Sequence, residues 1–370
     1  MRDLHQKIQG WLNFADVKIN GDRPWDIQIK DNRTYTRILA QGSLGFGESY
    51  MDGWWSADKV DELISRLLAA ELDKKISPMS LAWPIVKSRV LNAQSKKKAF
   101  EIGERHYDIG NDLYKRMLDR RMVYTCGYWS KANNLAEAQE AKLDLVCRKL
   151  GLKAGDRVLD IGCGWGSFAK FAAEKYGARV VGITVSKEQK ELAEKKCEGL
   201  PIEIRLQDYR EVNEKFDHIV SLGMIEHVGY KNYRIYMKMV RRCLKDSGLF
   251  LLHTIGGNKS VTGTNSWIEK YIFPNSMLPS AKQLAKAFEG LFVMEDWHNF
   301  GVDYDKTLMA WYENFKSHWN EIKDNYPPYF FRMWEFYLLS CAGSFRCRKN
   351  QLWQIVLAPK GVRGGYVGVK

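Results

Sequence analysis

Val158-Leu159-Asp160-Ile161-Gly162-Cys163-Gly164-Trp165-Gly166 is a short apolar run closed by an acid and followed by three glycines at alternate positions, after which Ser167-Phe168-Ala169 opens a helical pattern. This order predicts a strand, a tight turn and a helix N-terminus. Glycine reaches backbone angles closed to other residues and lets a ligand lie against the main chain. The helix end adds unpaired N–H groups and a positive dipole. Such a turn either holds a nucleotide-bearing cofactor or merely turns a corner, and the flanking sequence decides which.

Downstream the chain alternates strands and helices. Arg179 to Ile183 reads as a strand, and Ser186 to Cys197 as a helix capped by Ser186 or Thr184. Ile202 to Leu206, Phe216 to Leu222 and Gly248 to His253 read as further strands, with Asn232 to Leu244 helical. Leu291 to Trp297 pairs plausibly with Leu352 to Leu357 as a terminal antiparallel hairpin around a helical insert at about 305–345. This beat implies an open, mostly parallel α/β sheet with ligands at the strand carboxyl ends. A dinucleotide site wants G-x-G-x-x-G and an acid closing the second strand. Here the spacing is Asp160-x-Gly162-x-Gly164-x-Gly166, and the second strand runs into Gly182-Ile183-Thr184-Val185-Ser186 without an acid. Thr184 and Gln189 offer ribose hydrogen bonds, and Gln207-Asp208 is placed to meet an adenine edge. With the terminal hairpin, the pattern resembles a class I S-adenosylmethionine methyltransferase rather than a nicotinamide enzyme.

Upstream, Leu135 to Leu150 reads as a helix ended by Gly151. Glu104 to Tyr114 and Met122 to Trp129 crowd polar and aromatic residues without a simple period, as site-lining segments do. From Lys74 to Lys98, Lys74, Lys75, Lys87, Arg89 and Lys96 to Lys98 are interspersed with apolar residues. That is either a solvated face or a segment lying on anionic headgroups. Residues 1–73 are expected to form a small N-terminal α+β accessory domain, 74–103 a basic linker and 104–370 the catalytic domain. Within the first, Gly42 to Trp55 is rich in glycine and aromatics and reads as a packed turn, with a lipid-facing surface as the rival reading.

The 370 residues suffice for one large domain plus a smaller one. A net charge of +13 favours a polyanionic partner, and no recognition-helix, zinc-finger or RNP-like pattern turns that toward nucleic acid. No apolar run is long enough to span a membrane, and charges in the first thirty residues argue against a signal peptide. Seven cysteines without C-x-x-C pairing point to reduced thiols in a cytoplasmic protein and to no metal site.

Together Gly42 to Trp55, His106 to Leu113, Val158 to Gly166, Gly223 to Gly229, Leu251 to Gly256 and Glu295 to Asn314 strongly resemble the cyclopropane-fatty-acyl-phospholipid synthases. The resemblance implies methylene transfer from S-adenosylmethionine to the double bond of an unsaturated acyl chain, on a peripheral enzyme at the inner face of the membrane, as a homodimer. It implies a bound bicarbonate as base, held by Cys126, Glu226, His253, Tyr304 and the backbone of Ile255, with Cys341 as a further catalytic candidate. It places Tyr124, Thr125, Gly162, Gly164, Thr184, Gln189 and Gln207 around the cofactor. Asp160 is expected to order the glycine turn through its N–H groups, with Gly166 and Asp208 completing the set. Trp267 or Phe273 are candidates for facing a cationic intermediate. Each residue also has an ordinary reading: Cys126 as a small buried hydrophobe, His253 as a satisfied core histidine, Glu226 as a helix cap, Tyr304 as a core ring. Two other functions fit the same fold, a methyltransferase for a soluble amine or another lipid, and a non-catalytic membrane-binding protein.

Overall fold

The computed structural model describes residues 2–72 and 110–370; the basic segment 74–98 and Glu104 to Ile109 lie outside the described residues. The chain divides into two compact units. One takes the N-terminal region together with Thr262–Pro274 and Tyr304–Asn350, the other the remainder. Two stretches that the sequence groups with the glycine turn therefore cluster with the N-terminal segment.

In the N-terminal unit, β1 (Gln28–Ile29) and β2 (Trp55–Ser56) pair antiparallel. Around them lie the helices Arg33–Gln41, Ser43–Met51, Val60–Ala69 and Phe330–Arg346. The expected turn at Gly42 to Trp55 is mostly helix, from Ser43 to Met51. Its inner glycines serve space rather than turning. A Cβ on Gly45 would strike the Arg37 carbonyl, and one on Gly47 the Trp267 ring. Trp55 is fully buried. It stacks on Phe46 at 4.4 Å and donates its indole N–H to the Phe46 carbonyl at 2.9 Å. This block is core, not a lipid-facing skin.

In the second unit, β3 (Arg157–Ile161), β4 (Arg179–Thr184), β5 (Ile202–Leu206), β6 (Phe216–Leu222), β7 (Leu244–Gly257), β8 (Val293–Asn299) and β9 (Asn350–Ala358) form a sheet of order β5-β4-β3-β6-β7-β9-β8. β3 to β7 run parallel, while β8 and β9 are antiparallel. β7 begins earlier than its apolar run because Leu244 already pairs with Phe216. β3 is covered on both faces by apolar clusters, so it reads as an unbroken apolar run. Its neighbours β4 and β6 leave it in opposite directions, and that switch opens a crevice at the carboxyl ends.

The Leu135–Leu150 helix has the bounds its sequence predicts. The Asn134 side chain accepts the Glu137 N–H at 3.0 Å, Glu137 reaches back to the Asn133 N–H at 2.9 Å, and Gly151 closes the helix in the left-handed region. Among the described residues no helix is long and apolar enough to cross a membrane.

Candidate active site

At the β3–β6 switch a cavity is walled by the glycine turn, the ends of β4, β5 and β6, and the Met122–Thr125 segment. Every residue expected around a nucleotide-bearing cofactor lines it except Gly166: Tyr124, Thr125, Asp160, Gly162, Gly164, Thr184, Gln189, Gln207 and Asp208. Gly162, Gly164 and Gly166 all have positive φ (80°, 54° and 77°), so the alternate glycines are a backbone requirement. Gly166 is needed for packing as well, since a Cβ there would sit 2.8 Å from the Cys197 sulfur.

Two local details differ from expectation. The Gly162 and Cys163 N–H groups donate to the Ile183 carbonyl, each at 3.0 Å, so the neighbouring strand orders the turn and Asp160 does not. Asp160 is instead buried with Oδ2 unpartnered, and burial pushes its carboxyl up to about 7. The Thr184 hydroxyl donates to Gln189 Oε1 at 2.8 Å and accepts the Ser186 N–H at 3.2 Å. That leaves the Gln189 amide NH₂ as the free donor on this wall.

Glu226, His253 and Cys126 lie on the 3-10 helix Ile225–His227, on β7 and just after the Met122–Thr125 segment. Glu226 is buried, and its Oε1 accepts the Ile255 N–H at 2.7 Å. The backbone donor expected to face bicarbonate is thus taken by the glutamate. Glu226 Oε2 has no partner, and desolvation pushes the carboxyl up to about 7. His253 is buried beside Phe300 and kept neutral, first by desolvation and then by the fields of Lys142 and Lys149. The Gln354 side-chain amide lies 3.4 Å from its Nδ1, and its Nε2 is unpartnered. Cys126 is fully buried, its thiol 3.1 Å from the Gly127 carbonyl. An unpartnered imidazole nitrogen and an unpartnered carboxyl oxygen, on a group whose neutral form burial favours, fit a small oxyanion that both accepts and donates hydrogen bonds.

The remaining candidates belong to the N-terminal unit. Tyr304 is buried on the Val302–Ile322 helix with its ring 4.6 Å from Phe345. Trp267 is buried against Phe336 at 4.8 Å, and Phe273 lies 5.7 Å from Tyr337. Cys341 lies on the Phe330–Arg346 helix, where burial pushes its thiol up to about 12 and disfavours the thiolate at neutral pH. Its neighbour Gly343 explains the small residues of Ser340-Cys341-Ala342-Gly343, because a Cβ there would strike the Asp61 carbonyl of the adjoining helix. The stretch is a helix-packing seam.

The sequence reading missed Lys142, which is fully buried in the cavity wall and donates to the Thr125 hydroxyl at 2.9 Å. Its signal was a charged residue on the apolar face of the Leu135–Leu150 helix.

A glycine turn after the first strand of the parallel run, neutral donors on β4 and a C-terminal antiparallel pair define a class I S-adenosylmethionine-dependent methyltransferase fold. Comparison with known proteins narrows the class. Residues 94–355 match the family described as mycolic acid cyclopropane synthetase, and the chain belongs to it. It is 53% identical over 355 residues to the cyclopropane-fatty-acyl-phospholipid synthase of Escherichia coli K12, covering 96% of this chain and 93% of that one. Among solved structures it resembles the cyclopropane synthase MmaA2 from Mycobacterium tuberculosis, with TM-score 0.67 and 30% identity over 70% of this chain and 98% of that one. The mycolic acid cyclopropane synthase CmaA1, solved with SAH and CTAB, matches with TM-score 0.66 and 30% identity over 70% and 97%.

Proposed function

We propose that this protein converts cis double bonds in the acyl chains of membrane phospholipids to cyclopropane rings, with S-adenosylmethionine as the donor. The likeness to a phospholipid cyclopropane synthase over nearly the full length of both chains carries this reading. S-adenosylmethionine would supply an electrophilic methyl on a sulfonium, and the cavity walls at Gly162, Gly164, Thr184 and Gln189 would hold it. An alkene is a weak nucleophile, so alignment supplies much of the rate. Attack leaves a carbocation on the chain, and ring closure requires a proton to leave the added methyl. A carboxylate touching a carbocation would trap it as an ester. Bicarbonate, held by Glu226 and His253, would supply a base that avoids this. Glu226, with a proton to share near neutrality, binds such an anion without charge repulsion, and His253 presents its unpartnered Nε2. Cys126 is proposed to complete that shell, and Cys341 is left to packing.

The decisive experiment incubates the full-length protein with S-adenosylmethionine and vesicles of a phospholipid bearing cis-monounsaturated chains, then hydrolyses the lipid. We expect acyl chains heavier by one methylene that resist hydrogenation as a cyclopropane does. Methyl-branched or unchanged chains would overturn the reading. The N-terminal unit and the basic segment are proposed to dock the enzyme, as a homodimer, peripherally on the anionic cytoplasmic face of the membrane. Neutralising Lys96, Lys97 and Lys98 should weaken sedimentation with anionic vesicles at low salt, and the difference should fade at high salt. Unchanged low-salt binding would move the docking surface elsewhere.

A further inference from the structure

The inner face of the Leu135–Leu150 helix clamps the Thr125 to Tyr128 segment. The Tyr128 N–H donates to the Ala138 carbonyl at 2.9 Å, and Gly127 has no room for a Cβ against Ala138. A face packed this closely is ordinarily apolar. Here Gln139, Lys142 and Lys149 are all fully buried. Two of them have a polar or charged partner in contact. The Gln139 amide donates to the Thr125 carbonyl at 2.8 Å, and Lys149 pairs with Asp296 at 2.9 Å.

Lys142 is different. Its ammonium has the Thr125 hydroxyl as its hydrogen-bond partner, and among the described residues no carboxylate lies within ion-pair distance. Two carboxyls act on it from beyond that distance: Asp119, committed to the Arg121 and Val123 N–H groups at 2.9 Å each, and Asp160, whose own carboxyl burial pushes up to about 7. Burying an ammonium costs several kcal/mol unless a contacting anion offsets it. A buried cation in the wall of the cofactor cavity, whose contacting partner Thr125 is neutral and adjoins Cys126, therefore has no anion in contact with it.

We propose that Lys142 is the counter-charge of the oxyanion pocket: braced by Thr125, its ammonium creates the positive potential that holds a small oxyanion, bicarbonate, beside Cys126 and His253. The proposal rests on the bicarbonate reading above. Burial lowers the Lys142 ammonium only to about 8, so it stays mostly charged at neutral pH. The fields of Lys142 and Lys149 help keep His253 neutral, and the same fields favour an anion next to it. In a desolvated site such a field is far stronger than in water.

The test uses full-length wild type, Lys142→Arg and Lys142→Met in carbon-dioxide-free buffer. Binding of ¹³C-labelled bicarbonate is followed by NMR line broadening, alongside the bicarbonate dependence of turnover, calorimetric S-adenosylmethionine affinity and Tm. We expect Lys142→Met to weaken bicarbonate binding by about tenfold or more, which corresponds to about 1.4 kcal/mol. Tm should not fall, any loss of S-adenosylmethionine affinity should be smaller than the loss of bicarbonate binding, and Lys142→Arg should recover most of the binding. A lysine needed only for packing would instead lower Tm and leave the bicarbonate titration at its wild-type midpoint. That result would overturn the proposal while the base reading stood. Wild type that neither binds nor needs bicarbonate would overturn both. Should Lys142→Met fail to fold, Lys142→Gln carries the same comparison.

Discussion

Glu226→Gln is expected to lower turnover by about 10²–10⁴-fold, the range for losing a group that works on a proton in the transition state. Glutamine keeps the acceptor for the Ile255 N–H at 2.7 Å, so the local fold has no reason to move. It cannot take or give a proton at the orphaned Oε2 position. Glu226 is not in the cavity wall, so S-adenosylmethionine affinity should stay close to wild type. The residual product should be enriched in uncyclised methyl-branched alkenes, formed when the carbocation loses a proton from a neighbouring chain carbon instead of from the added methyl. The same variant makes a prediction about stability with a definite sign. Folding raises the Glu226 carboxyl from its ordinary 4.5 to about 7, so its neutral form is favoured in the fold. Stability from that preference is full below 4.5 and is lost as the pH rises to 7. Above it the folded state carries an ionised, desolvated carboxyl at a cost of about 3 kcal/mol. Glutamine never ionises. Glu226→Gln should therefore melt a few degrees above wild type at pH 8, with the gap closing toward pH 5. Wild-type turnover would remove Glu226 from the mechanism, and equal melting at pH 8 would mean the carboxyl is not buried as described.

The sheet and the cofactor cavity were legible because their causes are local. Apolar runs of strand length, a capped helix ending at Gly151 and glycines forced into positive φ all leave marks at fixed offsets. What the sequence obscured depended on distant partners. The glycines of Gly42 to Trp55 look like turn formers, yet Gly47 exists to admit a ring from Trp267, far along the chain. Cys341 was a candidate through family resemblance alone, and only the adjoining helix shows a packing seam. Glu226 and Ile255 were both expected at the oxyanion pocket, but not that one would occupy the other. Lys142 was invisible because periodicity finds a helix and cannot tell that a buried position holds a charge. Compact units drawn from three separated stretches are likewise outside the reach of composition shifts along the chain.

The second large effect is expected at Gly256, the residue after Ile255 on β7. No positive φ is required there, so the constraint is space alone: a Cβ would fall inside the Trp353 ring on β9. Trp353 is buried and packs edge-to-face on Trp297 at 5.2 Å, within the core cluster on that side of the sheet. Alanine at 256 must therefore expel the indole or push β7 aside. Overpacking costs about 1–3 kcal/mol, and losing the packing of a large aromatic raises that toward about 3–5 kcal/mol. At about 2–4 °C per kcal/mol for a unit of this size, Gly256→Ala should lower Tm by several degrees or more. Turnover should fall further than S-adenosylmethionine affinity, because a shift of β7 moves the Ile255 N–H and His253 while the glycine turn on β3 stays in place. A double-mutant cycle separates collision from general damage. Trp353→Leu alone also destabilises, by removing the ring. If the two side chains compete for one volume, Gly256→Ala in the Trp353→Leu background should cost much less than in wild type, a coupling of about 1–3 kcal/mol. Simple additivity would mean that something other than the indole enforces glycine at this position.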